Sequence, residues 1–122
     1  VILYAVSQSP LAQPRNVIFG HLISAFIGLF FLKFLPESTL MIALSVGCAI
    51  ALMQVFKCVH PPAGANPLVI LLTANSIHYE WSFLIFPVLL GAISLVFVAV
   101  IVNNIKTQHK WPIYGLGLIK SK

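Results

Sequence analysis

Three long stretches of this chain carry almost no charge, and their length constrains the fold more than anything else in the sequence. Val17 to Leu35 is interrupted only by His21, Ser24 and Lys33, and Thr39 to Phe56 only by Ser45 and Gln54; Ser82 to Val102 runs on to the pair Asn103 and Asn104. Each is close to the roughly 20 residues that cross a hydrocarbon core about 30 Å thick. Composition agrees: 60% of the 122 residues are hydrophobic and 7% charged, whereas a soluble domain carries about a quarter charged residues. The expected fold is all-α, a polytopic transmembrane helical bundle.

The stretch VHPPAGANPLVIL, residues 59 to 71, breaks this pattern with a histidine, three prolines, a glycine and an asparagine. Val59 to Asn75 is either a re-entrant hairpin or a crossing whose first half is broken by prolines. Charge favours the crossing. With it, Arg15, Lys57, Lys106, Lys110, Lys120 and Lys122 share one face and Lys33 sits on the other with both acids, Glu37 and Glu80. The basic face is then cytoplasmic under the positive-inside rule. The expected spans are 17–35, 39–56, 59–75 (broken) and 82–105 in one membrane domain. Residues 1–6, apolar and without an initiating Met, read as the tail of an earlier span, so the chain is expected to lack its first part. Trp111 and Tyr114 are expected at headgroup level, and the setting suggested is a bacterial inner membrane with a cytoplasmic C-terminal tail.

Small residues recur every fourth position at Gly20, Ser24 and Gly28, and again at Ala43, Gly47 and Ala51. Such ridges let helices approach closely. With only Glu37 and Ser38 between Pro36 and the next helix, an antiparallel hairpin packed along these two faces is expected. SPLAQPRNV and HPPAGANPL also echo each other weakly, as in a parallel repeat. Cys48 and Cys58 have no C-x-x-C spacing and read as packing residues.

Irregular backbone at membrane depth is tolerated only inside protein or against a water-filled cavity. The proline break therefore marks an interior site, unless it is simply a tight turn at the surface with His60 solvated. Pro67 suits the first turn of a helix, with Asn66 as its N-cap. The amides of Ala63, Gly64 and Ala65 and the helix dipole would then point into the break and favour a small anion. His60 adds a donor that titrates near neutral pH. SPLAQPRN supplies Gln13, Arg15 and Asn16; Arg15 reads equally as a headgroup contact and Asn16 as a helix N-cap. His21 lies one turn inside the span, a site residue or a packed, hydrogen-bonded one. Gln54 could bridge helices, while His78 and His109 fall in a loop and the tail.

No Asp or Glu lies inside a span, which argues against carboxylate-based proton or sodium coupling. No nucleophile elbow, zinc motif, phosphate loop or carboxylate pair is present, so neither an enzyme, a metal site nor a cofactor is expected. The net charge of +5 reflects the one-sided lysines rather than nucleic-acid binding.

At SPLAQPRNVIFGH (Ser9 to His21) and VHPPAGANPL (Val59 to Leu68), the chain resembles the HPP family of integral membrane proteins. His60, Pro61 and Pro62 stand as the naming His-Pro-Pro motif. The likeness continues through WSFLIFPVLLGA (Trp81 to Ala92) and Asn103–Asn104. It implies a compact domain of four or five spans, and plastid and cyanobacterial members are implicated in moving nitrite. Asn66 stands where threonine is common in the family.

The function expected is a transporter or channel for a small anion, nitrite being one, within the lipid bilayer and as a homo-oligomer. The HPP break and the SPLAQPRN loop would face each other across a polar cavity, with His60, Pro61, Pro62, Gly64, Asn66, Gln13, Arg15, Asn16 and His21 as substrate-binding residues. The alternative is a non-transporting sensor or assembly module whose HPP loop binds a ligand or partner subunit; His21 and His60 as metal ligands form a weaker third reading.

Overall fold

A computed structural model describes residues 2–105 and 110–112. Among the described residues the chain is helical with no strand, a helical membrane protein. A short α1 (Ile2–Ala5) and a 3₁₀ turn (Pro10–Ala12) lead into α2 (Pro14–Phe34), followed by α3 (Thr39–Val55), a 3₁₀ turn at Pro61–Ala65, α4 (Asn66–Thr73) and α5 (Leu90–Asn104). The central element is α2, which packs against α3, α4, α5 and the turn at 61–65.

Local chemistry sets the ends of these helices. Pro14 occupies the first turn of α2, where its missing N–H is no loss, and Gln13 before it is extended. Asn16 thus lies inside the first turn and is not the N-cap. Leu35 is extended ahead of Pro36, as the residue before a proline prefers. Ser38 caps α3 by accepting from the Met41 N–H at 3.1 Å.

At its C-terminus α3 closes in a Schellman motif. The Cys58 N–H reaches the Met53 carbonyl at 2.9 Å and the Lys57 N–H reaches Gln54 at 3.1 Å, while Lys57 takes the left-handed conformation at φ 53°. Glycine is the residue that adopts this conformation without steric cost. A lysine here carries local strain.

The small-residue ridge of α2 is used, but on a different partner from the one expected. A Cβ added at Gly20 would lie 2.9 Å from the His60 Cβ, and one at Gly28 2.9 Å from the Pro67 Cα. The ridge therefore seats the HPP segment and α4. The hairpin of α2 and α3 forms, yet α3 buries Ser45, Ala49 and Met53, two residues out of phase with Ala43, Gly47 and Ala51. A Cβ at Gly47 would meet nothing within 4 Å, so that second ridge faces outward, as do Cys48 and Gln54.

The last crossing is broken, which the sequence reading of 82–102 as one apolar run did not anticipate. Trp81–Leu84 is a 3₁₀ turn and Ile85–Leu89 a π-helical turn, with Phe86 extended at φ −133°, ψ 119° ahead of Pro87. Proline removes a helical hydrogen bond and clashes with the preceding turn, so the rod bends there. Trp111 is buried in a cluster with Leu3, Val17 and Ala99. Asn104 holds it by donating to its carbonyl and accepting from its N–H, both at 2.8 Å. Asn103 donates to the Leu3 carbonyl at 3.0 Å and ties α1 to α5. The lysines at 106, 120 and 122, His109 and Tyr114 lie outside the described residues.

Candidate functional site

The two proline-rich loops meet directly, through side-chain to backbone hydrogen bonds. Arg15 donates to the carbonyls of Lys57 at 3.0 Å and Phe56 at 2.8 Å. Asn16 donates to Val59 at 2.7 Å. These carbonyls belong to the loop that follows α3, so two polar side chains of α2 fasten that loop. Gln13 is buried and donates to the carbonyls of Ser7 and Ser9 at 3.0 and 2.8 Å. His60 is 3% exposed, and its Nδ1 donates to the Leu11 carbonyl at 2.9 Å.

The turn after His60 is regular. The Ala63 N–H bonds the His60 carbonyl at 2.9 Å, and the Asn66 N–H bonds Ala63. The expected cradle of free amides is thus not formed at these positions, because the 3₁₀ turn runs straight into α4. Pro61 and Pro62 are exposed on its outer side, and Gly64 packs near Ile50 of α3. Asn66 has helical angles, φ −58° and ψ −46°, and its side chain makes no cap. It reaches across to α2 instead.

That reach builds the polar cluster of the molecule's interior. Asn66 Nδ2 lies 2.9 Å from both His21 Nδ1 and Ser24 Oγ, while the Ser24 hydroxyl donates to the His21 carbonyl at 3.1 Å. With the serine proton engaged there, Ser24 accepts from Asn66, which fixes the amide nitrogen on this side. His21 Nδ1 must then also accept, so the neutral imidazole carries its proton on Nε2. The Nε2–H of His21 and Oδ1 of Asn66 have no hydrogen-bond partner among the described residues. The rings of His21 and His60 lie 5.4 Å apart.

His21 and Asn66 line a cavity of about 240 Å³ that is open to the outside and whose other walls are apolar: Val69 and Ile70 of α4, Phe83, Pro87 and Val88 at the break, and Gly91, Ala92 and Leu95 of α5. The cavity thus sits between two proline interruptions. Of the residues expected at a site, His21 and Asn66 line it; His60 stands behind them, and Gln13, Arg15 and Asn16 hold backbone elsewhere. The wall contributed by 83–95 was missed. Pro87, inside an apolar run, was the signal that could have found it.

At the opposite end of α2, Lys33 donates to the Tyr79 carbonyl at 2.9 Å and pairs with Glu80 at 3.7 Å. His78 is exposed and bonds Glu80. This bond, followed by attraction to Lys33, holds the Glu80 carboxyl below the usual carboxylate range. Among the described residues, no three metal-binding side chains come together.

The family described as HPP, transmembrane region, matches residues 1–112. Two transmembrane proteins of Dictyostelium discoideum are similar to the chain over 118 residues, at 33% and 36% identity. Each alignment covers 93% of this chain but only 38% and 41% of the relative, so the chain spans about two fifths of their length. No solved structure matches.

Proposed function

The chain belongs to the HPP transmembrane family, and from that premise we propose that it moves a small anion, such as nitrite, across the membrane through the cavity at His21 and Asn66. The observation that carries this reading is the cavity's lining. Its polar groups are one imidazole and one amide, set among apolar walls. An anion leaving water needs donors to replace its hydration, and the Nε2–H of His21 is one without a partner among the described residues. Both acids, Glu37 and Glu80, lie outside the spans, so no carboxylate there opposes an anion. Asn66 Oδ1 is an acceptor, answered by a water beside the anion or by a proton that the solute carries.

The site resembles the half-broken helices that transporters place at mid-membrane, with proline interruptions at 61–67 and at 87 on its two sides. Enclosure by a second copy, a cytoplasmic position for the end bearing Arg15 and Lys57, and a bacterial inner membrane belong to the same proposal. The test is uptake of nitrite, and of nitrate and formate beside it, into proteoliposomes. Saturable uptake above that of protein-free vesicles is the expected outcome; rates equal to the empty vesicles overturn the proposal.

One observation favours a second reading, a module that senses or assembles without transport. His60, Gln13, Arg15 and Asn16 are all engaged in holding backbone, as in a rigid scaffold. Absence of flux together with retained binding of a partner would select it.

A further inference from the structure

We propose that the groove between α2 and α3 binds one anionic phospholipid, with its phosphate at Arg15 and an acyl chain along the apolar wall below. Two open hollows of about 390 and 370 Å³ share Ile23 and Phe56 and so form one depression. The first is lined by Arg15, Phe19 and Cys58 beside these two, and the second adds Leu22, Phe26, Leu52 and, from the turn at 81–84, Leu84. A cation stands at one end, and apolar side chains fill the rest.

Dimensions fit a lipid rather than a free ion. From Arg15 to Phe26 the groove follows 11 residues of α2, about 16 Å at 1.5 Å per residue. That is close to half of a hydrocarbon core of roughly 30 Å, the depth of one leaflet. Phe19 and Phe56 are 52% and 55% exposed, so the wall opens sideways to the bilayer.

Charge selects the headgroup. Lys57, whose carbonyl Arg15 holds, is exposed and adds a second positive charge at this end of α2. The acids lie at the other end of α2: Glu37 follows that helix, and Glu80 pairs with Lys33. Over 21 residues this separates them from Arg15 by roughly 30 Å, beyond a Debye length of about 8 Å. The guanidinium is also held rigid. Two of its five N–H groups bond Phe56 and Lys57, leaving the others for phosphate oxygens at little further loss of side-chain freedom. An arginine that merely snorkels to any headgroup would not be fastened in this way.

This inference is independent of transport, because its test reads binding. The protein in detergent is titrated with phosphatidylglycerol, phosphatidylcholine or soluble glycerol phosphate while its thermal unfolding is followed. Phosphatidylglycerol should raise the midpoint saturably, half-saturating at a concentration at least about fivefold lower than phosphatidylcholine, and Lys57→Gln or Arg15→Gln should each cost about fivefold. Phe19→Ala, at an exposed side chain, should weaken phosphatidylglycerol too. Glycerol phosphate alone should do nothing. Equal response to the two lipids overturns the proposal, as does unchanged binding in Lys57→Gln and Phe19→Ala, or a matching shift from glycerol phosphate. Should Arg15→Gln not fold, the other two variants decide.

Discussion

The first turn of α2 and the turn above it carry similar side chains and use them differently. At the start, Arg15 and Asn16 donate to backbone carbonyls of residues 56, 57 and 59. Higher up, His21 and Ser24 bond the side chain of Asn66. All three bonds of the lower group end on main chain, so that group fastens the loop after α3 to α2. Side chains bonded to one another keep spare donors and acceptors, and here they border a cavity. In a span, what a polar residue bonds to says more about its role than its depth does.

The largest effect should come from the ridge that brings these turns against the HPP segment. Gly28→Val would drive a side chain into the Pro67 backbone, where a Cβ alone already lies 2.9 Å from Cα. A loss of about 3 kcal/mol is expected for such overpacking, seen as a lower unfolding midpoint in detergent. A midpoint within a degree of wild type would mean that α4 packs less closely.

Asn16→Ala sharpens the comparison from the structural side. It leaves the Val59 carbonyl without its 2.7 Å donor, at a cost of about 1–3 kcal/mol. Stability should fall, whereas binding at the cavity should not change once corrected for folded protein.

Smaller and opposite in sign is Lys57→Gly. The left-handed φ of 53° disfavours a side chain, so glycine should stabilise by up to about 1 kcal/mol. Unchanged or lower stability would mean that the lysine side chain makes up for its strain.

The smallest effect belongs to Glu80, at the far end of α2. Its folded-state pKa is lowered by His78 and then Lys33, so the stabilisation is present above the unfolded carboxylate pKa of about 4.3. It is lost as pH falls through the lower folded value. A shallow decline in unfolding midpoint below about pH 4.5 should be absent from Glu80→Gln; an identical decline in both would assign it elsewhere.

Much of the fold was legible because local rules govern it. Pro36 and the two-residue link after it mark the turn between α2 and α3, whereas the start of α2 lies at Pro14, ahead of the Asn16 cap that was expected. The break at the HPP motif followed from three prolines. The partners across the bundle were not legible. Asn66 and Asn16 both had the look of N-caps, yet each lies at helical angles and bonds a residue more than 40 positions away, which spacing cannot reveal. The Ala43–Gly47–Ala51 ridge has the pattern of a contact face, but α3 turns the Ser45–Ala49–Met53 row inward instead. The bend at Phe86 was overlooked because the residues around Pro87 are uniformly apolar and hydropathy alone does not register it.

The central claim is that the cavity pair acts on solute while the lower turn holds shape. Nitrite uptake into proteoliposomes, normalised to folded protein, for Asn66→Ala beside Asn16→Ala tests it most directly. Loss of a bond that positions His21 should reduce uptake by about tenfold, the equivalent of roughly 1.4 kcal/mol, with Asn16→Ala near wild type. Normal uptake in Asn66→Ala with loss in Asn16→Ala would contradict the account.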